Sequence, residues 1–534
     1  CVSRPRTYRL EVTLRPPATP GITLRNGANQ TGYPPHRPEA PPSATAQLRP
    51  VFRPAGRSPV RTARIDVSNV LVDGRELILL LVLLAGYVMT SITFSADERY
   101  STNLIGPLAL MVIMLLGAWW HLQRQPLAIW QPIFWFRVAV AAYYGVGNLA
   151  PYIANDATML FIRAMYDFSE EEVFKVGMIN VACALTVLGT AWLIPVPIPA
   201  RSATPSPIKE AQSAQSRTTM MFAAAFLIGG GLVRYFIVLP STLGLIDTVP
   251  GLVMPLARSY IVGLFLLILI ALRGNRVALA LASVLVPLDL AIGLLTFAKV
   301  EVLLTLIFCY LAFLHHHMTV PRIIIGIILI VGVYSQLDPI IHYGRDEIYR
   351  RYGERAAPLH VRLEILEAYT KDVSSNEQRS DRQSFLSRLS YTNAATMVTT
   401  WHDIGRPGDS LKNAFIVLIP RAVWPEKPEI TALGKELYLA ASSEEGSSIS
   451  PGLFAESYWN FGWTGIPILM TVYGIFLAFL SRSALRAMKE EKWLYLPAIL
   501  LSIQIGVRVD GWFVSDVIGA GSTALVMILA IHAF

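Results

Sequence analysis

Apolar stretches long enough to cross roughly 30 Å of hydrocarbon recur from residue 77 to the end of the chain, and no other feature restricts the fold as much. Backbone N–H and C=O groups in hydrocarbon must find partners within their own segment, so such runs fold as helices. Hydropathy marks about twelve of them. They lie at 77–95, 103–120, 133–152, 173–194, 218–239, 258–272, 277–297, 301–315, 322–341, 462–482, 494–509 and 512–533. The expected fold is an all-α polytopic membrane protein. Only 15% of the residues are charged, which excludes the soluble multidomain reading that the length alone would allow.

Charge placement orients these segments. Residues 1–74 are rich in Arg and Pro, hold no Lys and show no hydrophobic period, so they read as a disordered cytoplasmic arm. The chain starts with Cys1, and its first Met is Met89, inside the first apolar run. Translation is therefore expected to start near Val67, Val70 or Val72 through a non-Met codon, which would leave the arm without a role. With the arm inside, the cytoplasmic connections carry Arg124, then Arg201, Lys209 and Arg217, then Arg273 and Arg276, then Arg322, then Arg482, Arg486, Lys489 and Lys492. That satisfies the positive-inside rule. The net charge of +8 is then a matter of topology rather than of nucleic-acid binding, and no nucleic-acid partner is expected.

This orientation divides the chain into the arm 1–74, helices over 75–341, a large periplasmic loop over 342–461 and a closing group of helices over 462–534. Within the loop, amphipathic spacing predicts helices at about 356–369 and 384–400. The most constrained part of the loop is 411–465. Pro420, Pro425 and Pro428 prevent one continuous helix there and leave Arg421 and Lys427 displayed on a bend beside the membrane. Rigid cations in such a place suit a lipid-linked anionic group, above all a diphosphate.

Ionisable groups in or at the ends of membrane helices are functional candidates by default. Arg234, Arg258, Lys299, Glu301, Arg345, Asp510 and Asp516 all fall near the outer face, and the loop adds Arg388, His402 and Glu456. Arg137 is expected to snorkel to the interface, Asp289 to pair within the bundle, and Arg350, Arg351, Arg355 and Arg362 to be solvated. The three cysteines and the His315–His317 triplet give no disulfide framework or metal spacing. No P-loop, Rossmann glycine pattern or HExxH is present. Neither a metal nor another cofactor is expected.

LIPRAVWPEKP (418–428) followed by SPGLFAESYWNFGWTG (450–465) resembles the oligosaccharide repeat-unit polymerases of the O-antigen and exopolysaccharide type, the Wzy-like family. The tight link carrying Lys299 and the long outer loop are similar to that family as well. The resemblance implies a GT-C-like helical bundle in the bacterial inner membrane that acts on undecaprenyl-diphosphate-linked repeat units. By motif position Arg421 and Lys427 match its basic pair, and Glu456, Asn460 and Gly462 match the following motif. On this reading Arg421 and Lys427 stabilise the leaving diphosphate. The position of Glu456 beside the membrane face, apart from the resemblance, makes it either the general base or one half of a Glu–Arg ion pair that props the loop. Arg234, Arg258, Lys299, Arg345, Arg388 and Asn460 bind substrate, and Trp401, Trp424, Tyr458 and Trp459 are placed to stack on sugars or to anchor at the interface. The expected partners are the polyprenyl-diphosphate-linked glycan and membrane lipid, with room for a chain-length regulator protein. An O-antigen ligase shares the same topology. A flippase or exporter of the lipid-linked unit is the alternative from another class, although the sequence lacks the internal repeats of many transporters.

The topology is directly testable. Cysteines introduced singly at Ser384 and Ser442 should react with an impermeant thiol reagent in intact spheroplasts, and one at Ser483 should not. The opposite labelling would place the loop in the cytoplasm.

Overall fold

A computed structural model describes residues 71–95, 99–163, 166–194, 208–246, 253–316, 319–353, 356–371, 386, 389–419, 424, 432–442 and 448–533. Every regular element among them is helical. Among the described residues, nine helices are long and apolar enough to cross a membrane by length and composition, and Leu256–Leu272 and Trp493–Val507 are shorter apolar helices. Each apolar run marked by hydropathy falls on helical backbone.

In chain order the first half comprises α1 (Gly74–Thr93), α2 (Tyr100–Arg124), α3 (Pro132–Val140), α4 (Gly147–Ile153), α5 (Asp156–Arg163) and α6 (Glu170–Leu193). It continues with α7 (Ile208–Val233), α8 (Leu239–Thr242), α9 (Val253–Leu272), α10 (Arg276–Leu295), α11 (Lys299–His316) and α12 (Val320–Tyr352). The polar segment holds α13 (Leu359–Lys371), α14 (Thr392–Asp403), α15 (Ala414–Leu418) and α16 (Ala432–Ser442). The chain closes with α17 (Leu453–Phe461), α18 (Gly465–Lys489), α19 (Leu496–Val507) and α20 (Ala520–Ala533). π-Helical stretches join α3 to α4 (Ala141–Val146), α7 to α8 (Arg234–Val238) and lead into α20 (Phe513–Gly519).

Local chemistry sets many of the ends. Asp73 caps α1 by accepting from the Arg75 backbone N–H at 3.0 Å. Ser169 and Glu172 form a reciprocal capping box on α6, and Asn275 caps α10. The helix α12 runs past the expected boundary at 341 to Tyr352, because Glu347 pairs with Arg350 and Arg351 one turn on. It stops where Gly353 turns left-handed, at φ 70°. The loop helices expected at 356–369 and 384–400 appear as α13 and α14. The aromatic segment carrying Glu456 is not a lead-in loop but the helix α17, set off from α18 by Gly462 at φ 60°.

Among the described residues, two hydrophobic cores are the largest. In one, α6 and α18 lie against each other and gather α1, α2, α3, α17 and α20. In the other, α9 is the centre and α7, α10 and α11 pack on it. The helix α19 borders both: Leu496 and Ile499 join the second core, and Ala498 and Ile505 the first. Outward faces are apolar, as on α12, where Ile324, Ile325, Ile327, Ile328 and Leu329 are all exposed. Such faces suit hydrocarbon rather than water.

Two expectations are corrected at the start of the chain. Leu71 and Val72, assigned to the arm, are buried in the first core. Arg137 does not snorkel. It is fully buried, grips both oxygens of Glu76 at 2.7 and 2.8 Å, and donates to the Leu71 carbonyl at 3.0 Å. In an apolar bundle a guanidinium that cannot reach the interface must be neutralised where it stands.

Breaking one partner of this pair should cost about 3–5 kcal/mol, because the other charge is left buried and alone. Glu76→Leu or Arg137→Leu in detergent should therefore lower the melting temperature sharply. The double Leu variant should recover much of the loss, and a double loss equal to the sum of the two single losses would show that the pair is not coupled.

Candidate active site at the 508–513 turn

The connection between α19 and the following π-helix, Arg508-Val509-Asp510-Gly511-Trp512, is held from several sides. The Val509 carbonyl accepts from the Tyr144 hydroxyl at 2.6 Å and from the Leu453 N–H at 2.9 Å. The Phe513 N–H donates to Glu456 Oε2 at 2.6 Å, and Ser410 donates to Glu456 Oε1 at 2.6 Å. Asn460 in turn donates to Ser410 at 2.8 Å. Asp516 accepts from Arg508 at 2.8 Å and from the Trp512 N–H and the Ser515 hydroxyl at 3.0 Å each. Gly511 is needed here, since a Cβ would collide with the Asp516 carboxylate.

This arrangement changes the role read for Glu456. The carboxylate is fully buried and both of its oxygens are occupied, so it fastens the polar segment and α17 to the turn instead of facing a substrate. Asn460, expected to bind substrate, is buried in the same fastening.

Beside the turn lies a group of polar side chains drawn from distant parts of the chain. Tyr391 donates to Asp510 Oδ2 at 3.1 Å and meets Tyr143 edge to face at 5.7 Å. Tyr143 also lies close to Arg508 and Tyr334. Arg258, near the start of α9, reaches Gln504 on α19 at 3.4 Å, and its buried Nε has no hydrogen-bond partner among the described residues. Gln504 and Arg508 are one helical turn apart, and the Arg508 side chain is 51% exposed. Arg258 thus meets the Gln504 side chain with an Nε–H unpartnered among the described residues, and Arg508, one turn further along α19, is half open to solvent.

Burial pushes the Asp510 carboxyl above the usual range, and the opposing influence of Arg508 and the Tyr391 hydrogen bond does not cancel it. Tyr391 is raised as well, by burial and by the neighbouring Asp510.

The other predicted residues fall into separate places. Arg234 pairs with Asp289 at 2.9 Å and Glu301 at 2.5 Å, and Asp289 also accepts from Tyr235 and Thr305. This is the bundle pairing expected of Asp289. Lys299 pairs with Asp338, touches His342 at 3.1 Å and lies over the Tyr334 ring at 5.3 Å. Arg345 donates to the Phe297 carbonyl at 2.8 Å. Arg362, read as solvated, is buried and donates to the Ala357, Leu295 and Thr242 carbonyls, tying α13 to the ends of α8 and α10. Arg388, Arg421 and Lys427 lie outside the described residues.

The aromatics divide similarly. Trp459 is buried, between Trp401 at 6.3 Å and Trp512 at 6.4 Å. Tyr458 carries Lys175 over its ring at 4.4 Å and donates to Asp403 at 2.9 Å. Trp424 is exposed. A cavity of about 470 Å³ opens nearby, lined in part by Tyr166, Glu172, Lys175, Thr400 and Asp403. Burial raises the Asp403 carboxyl, but hydrogen bonds from Lys175, Tyr458 and His402 outweigh it and hold Asp403 below its usual range.

Arg508, Gln504, Tyr391 and Tyr143 were not singled out in the sequence. The signal that could have found Arg508 is VRVDGW, a charged and Gly-broken interruption between two apolar helices. Nothing local marks Tyr143 or Tyr391, whose neighbours are set by the π-helical stretch 141–146 and by the entry to α14.

Comparisons with the curated proteins and with solved structures returned no match to this chain. A family model does match, over residues 87–488. The matched region includes α17, Glu456 and Tyr391, and the chain belongs to that family, described as a domain of unknown function (DUF8712).

Proposed function

We propose that this chain is an integral membrane glycosyltransferase that polymerises undecaprenyl-diphosphate-linked oligosaccharide repeat units. The reaction would take place at the periplasmic face of a bacterial inner membrane, in a GT-C-like bundle of about twelve crossings, with residues 342–461 outside. The observation that carries the reading is Arg258, at Gln504 with an Nε–H unpartnered among the described residues, together with the half-exposed Arg508 one turn further along α19, at the bundle end where the long polar segment docks.

Transfer of a glycan from a lipid diphosphate leaves negative charge on the departing phosphate. Preorganised cations in a partly dehydrated site stabilise that charge most where it develops. Arg258 has an Nε–H without a partner among the described residues, and Arg508 has an exposed guanidinium already oriented by Asp516. Arg421 and Lys427, from the Pro-rich sequence 418–428, would add their charge to the same diphosphate. Apolar helix faces such as that of α12 suit the polyprenyl tail. Arg234, by contrast, is occupied by two carboxylates and serves the bundle.

The ligase reading uses the same donor and differs in the acceptor. Lipid-linked glycans from a strain lacking the gene separate the two: accumulated single repeats support polymerisation, and accumulated polymer supports ligation. Unchanged glycans in both the lipid-linked and finished pools would refute glycosyl transfer. In a complemented strain, Arg258→Ala, Arg421→Ala and Lys427→Ala should each insert normally and cut polymer formation by about two to three powers of ten. Near-normal polymer from Arg258→Ala would move the diphosphate away from Gln504.

A further inference from the structure

Asp510 is surrounded differently from the carboxylates that hold the turn and pair the nearby cations. Glu456 is sealed between Ser410 and the Phe513 N–H, Asp516 is held by Arg508 and the turn, and Glu301, Asp338 and Asp403 each pair with a cation. Asp510 forms no ion pair among the described residues. One oxygen accepts from Tyr391, and the other accepts nothing from another described residue. The backbone on either side is fixed, through Val509 by Tyr144 and Leu453, and through Phe513 by Glu456. Asp510 is thus a carboxylate with a set orientation and one free oxygen, two residues from the Arg508 guanidinium.

We propose that Asp510 is the general base of the transfer, with Tyr391 as its positioning residue. The inference rests on the glycosyl-transfer reading and goes beyond it by naming the proton acceptor. The acceptor sugar's hydroxyl gives its proton to the free oxygen of Asp510 as its oxygen bonds to the donor's anomeric carbon. The bond from that carbon to the polyprenyl diphosphate breaks, and its electron pair leaves on the diphosphate. Arg258 and Arg508 face the charge so formed. The Asp510 carboxyl ends the step neutral and returns its proton to water.

A carboxylate whose pKa is raised toward the working pH is the better base, and burial raises Asp510. The charged and titratable groups around it are Arg508, Asp516, Tyr391, Tyr143, Tyr144 and Tyr473. The base acts only when ionised, so turnover is lost as pH falls through its pKa. Tyr391 donates to the ionised form, so its removal should raise that pKa and move the acid limb to higher pH.

The test uses the full chain reconstituted with lipid-linked repeats extracted from the deletion strain. Asp510→Asn should lower kcat by about 10²–10⁴-fold with little change in KM. Tyr391→Phe should shift the acid limb upward while retaining most of the rate on the plateau. A purely structural role would lower the rate alike at every pH. Asp510→Asn within tenfold of the parent, or a Tyr391→Phe profile with an unmoved limb, overturns the assignment. Should Asp510→Asn fail to fold, the Tyr391→Phe profile decides alone. If the parent protein does not elongate the extract, the glycosyl-transfer reading fails first and the assignment falls with it.

Discussion

A fully buried carboxylate, Glu456, holds together the end of the bundle where the polar segment docks. It accepts from Ser410 on that segment and from the Phe513 backbone on the π-helix, while Asn460 on its own helix completes the circuit. A carboxylate in such a place is costly unless its oxygens are satisfied, and here the donors come from two separate parts of the chain. The same need for donors brings those parts together. The turn at 508–513 is held between α17 and α19, so Arg508 and Asp510 are presented with a defined direction. Preorganisation of this kind makes fixed charge useful for catalysis, because little reorganisation remains when the reaction occurs.

The other intramembrane charges follow a similar logic with a different outcome. Arg137 with Glu76, and Arg234 with Asp289 and Glu301, are closed networks in which each charge meets its opposite. They hold helices that are remote in sequence: α1 to α3, and the π-helical stretch after α7 to α10 and α11. Their burial makes single removals expensive, so they act as anchors. Arg258 breaks the pattern: among the described residues it meets the neutral amide of Gln504, and its buried Nε–H has no partner. A buried donor left unspent is a departure from the rule that buried polar groups are paired, and such departures collect at functional sites.

Much of the secondary structure was legible in the sequence because it depends on hydropathy and length alone. Helices occupy each apolar run, and Asp73, Ser169, Asn275 and Gly353 mark ends through local capping chemistry. Positions that needed partners from elsewhere were read less well. Arg137 was assigned to the interface because its nearest sequence neighbours offer no counter-charge, whereas Glu76 is 61 residues away. Arg362 was read as solvated because α13 has a polar sequence, yet three carbonyls from other elements enclose it.

The functional residues divide along the same line. The sequence by itself determined that the chain is helical and membrane-embedded, that Asp510, Arg258 and Lys299 lie near helix ends, and that Glu456 lies a few residues before one, because helical rise and apolar length set depth. Only the tertiary structure decided which of these groups are spent and which are open. Glu456 and Lys299 found partners, whereas among the described residues one Asp510 oxygen and the Arg258 Nε–H meet no other residue. That difference depends on contacts between residues separated by more than a hundred positions, such as Tyr391 with Asp510 and Arg258 with Gln504. Apolar periodicity places a side chain on its own helix, but the neighbouring elements determine what it meets there.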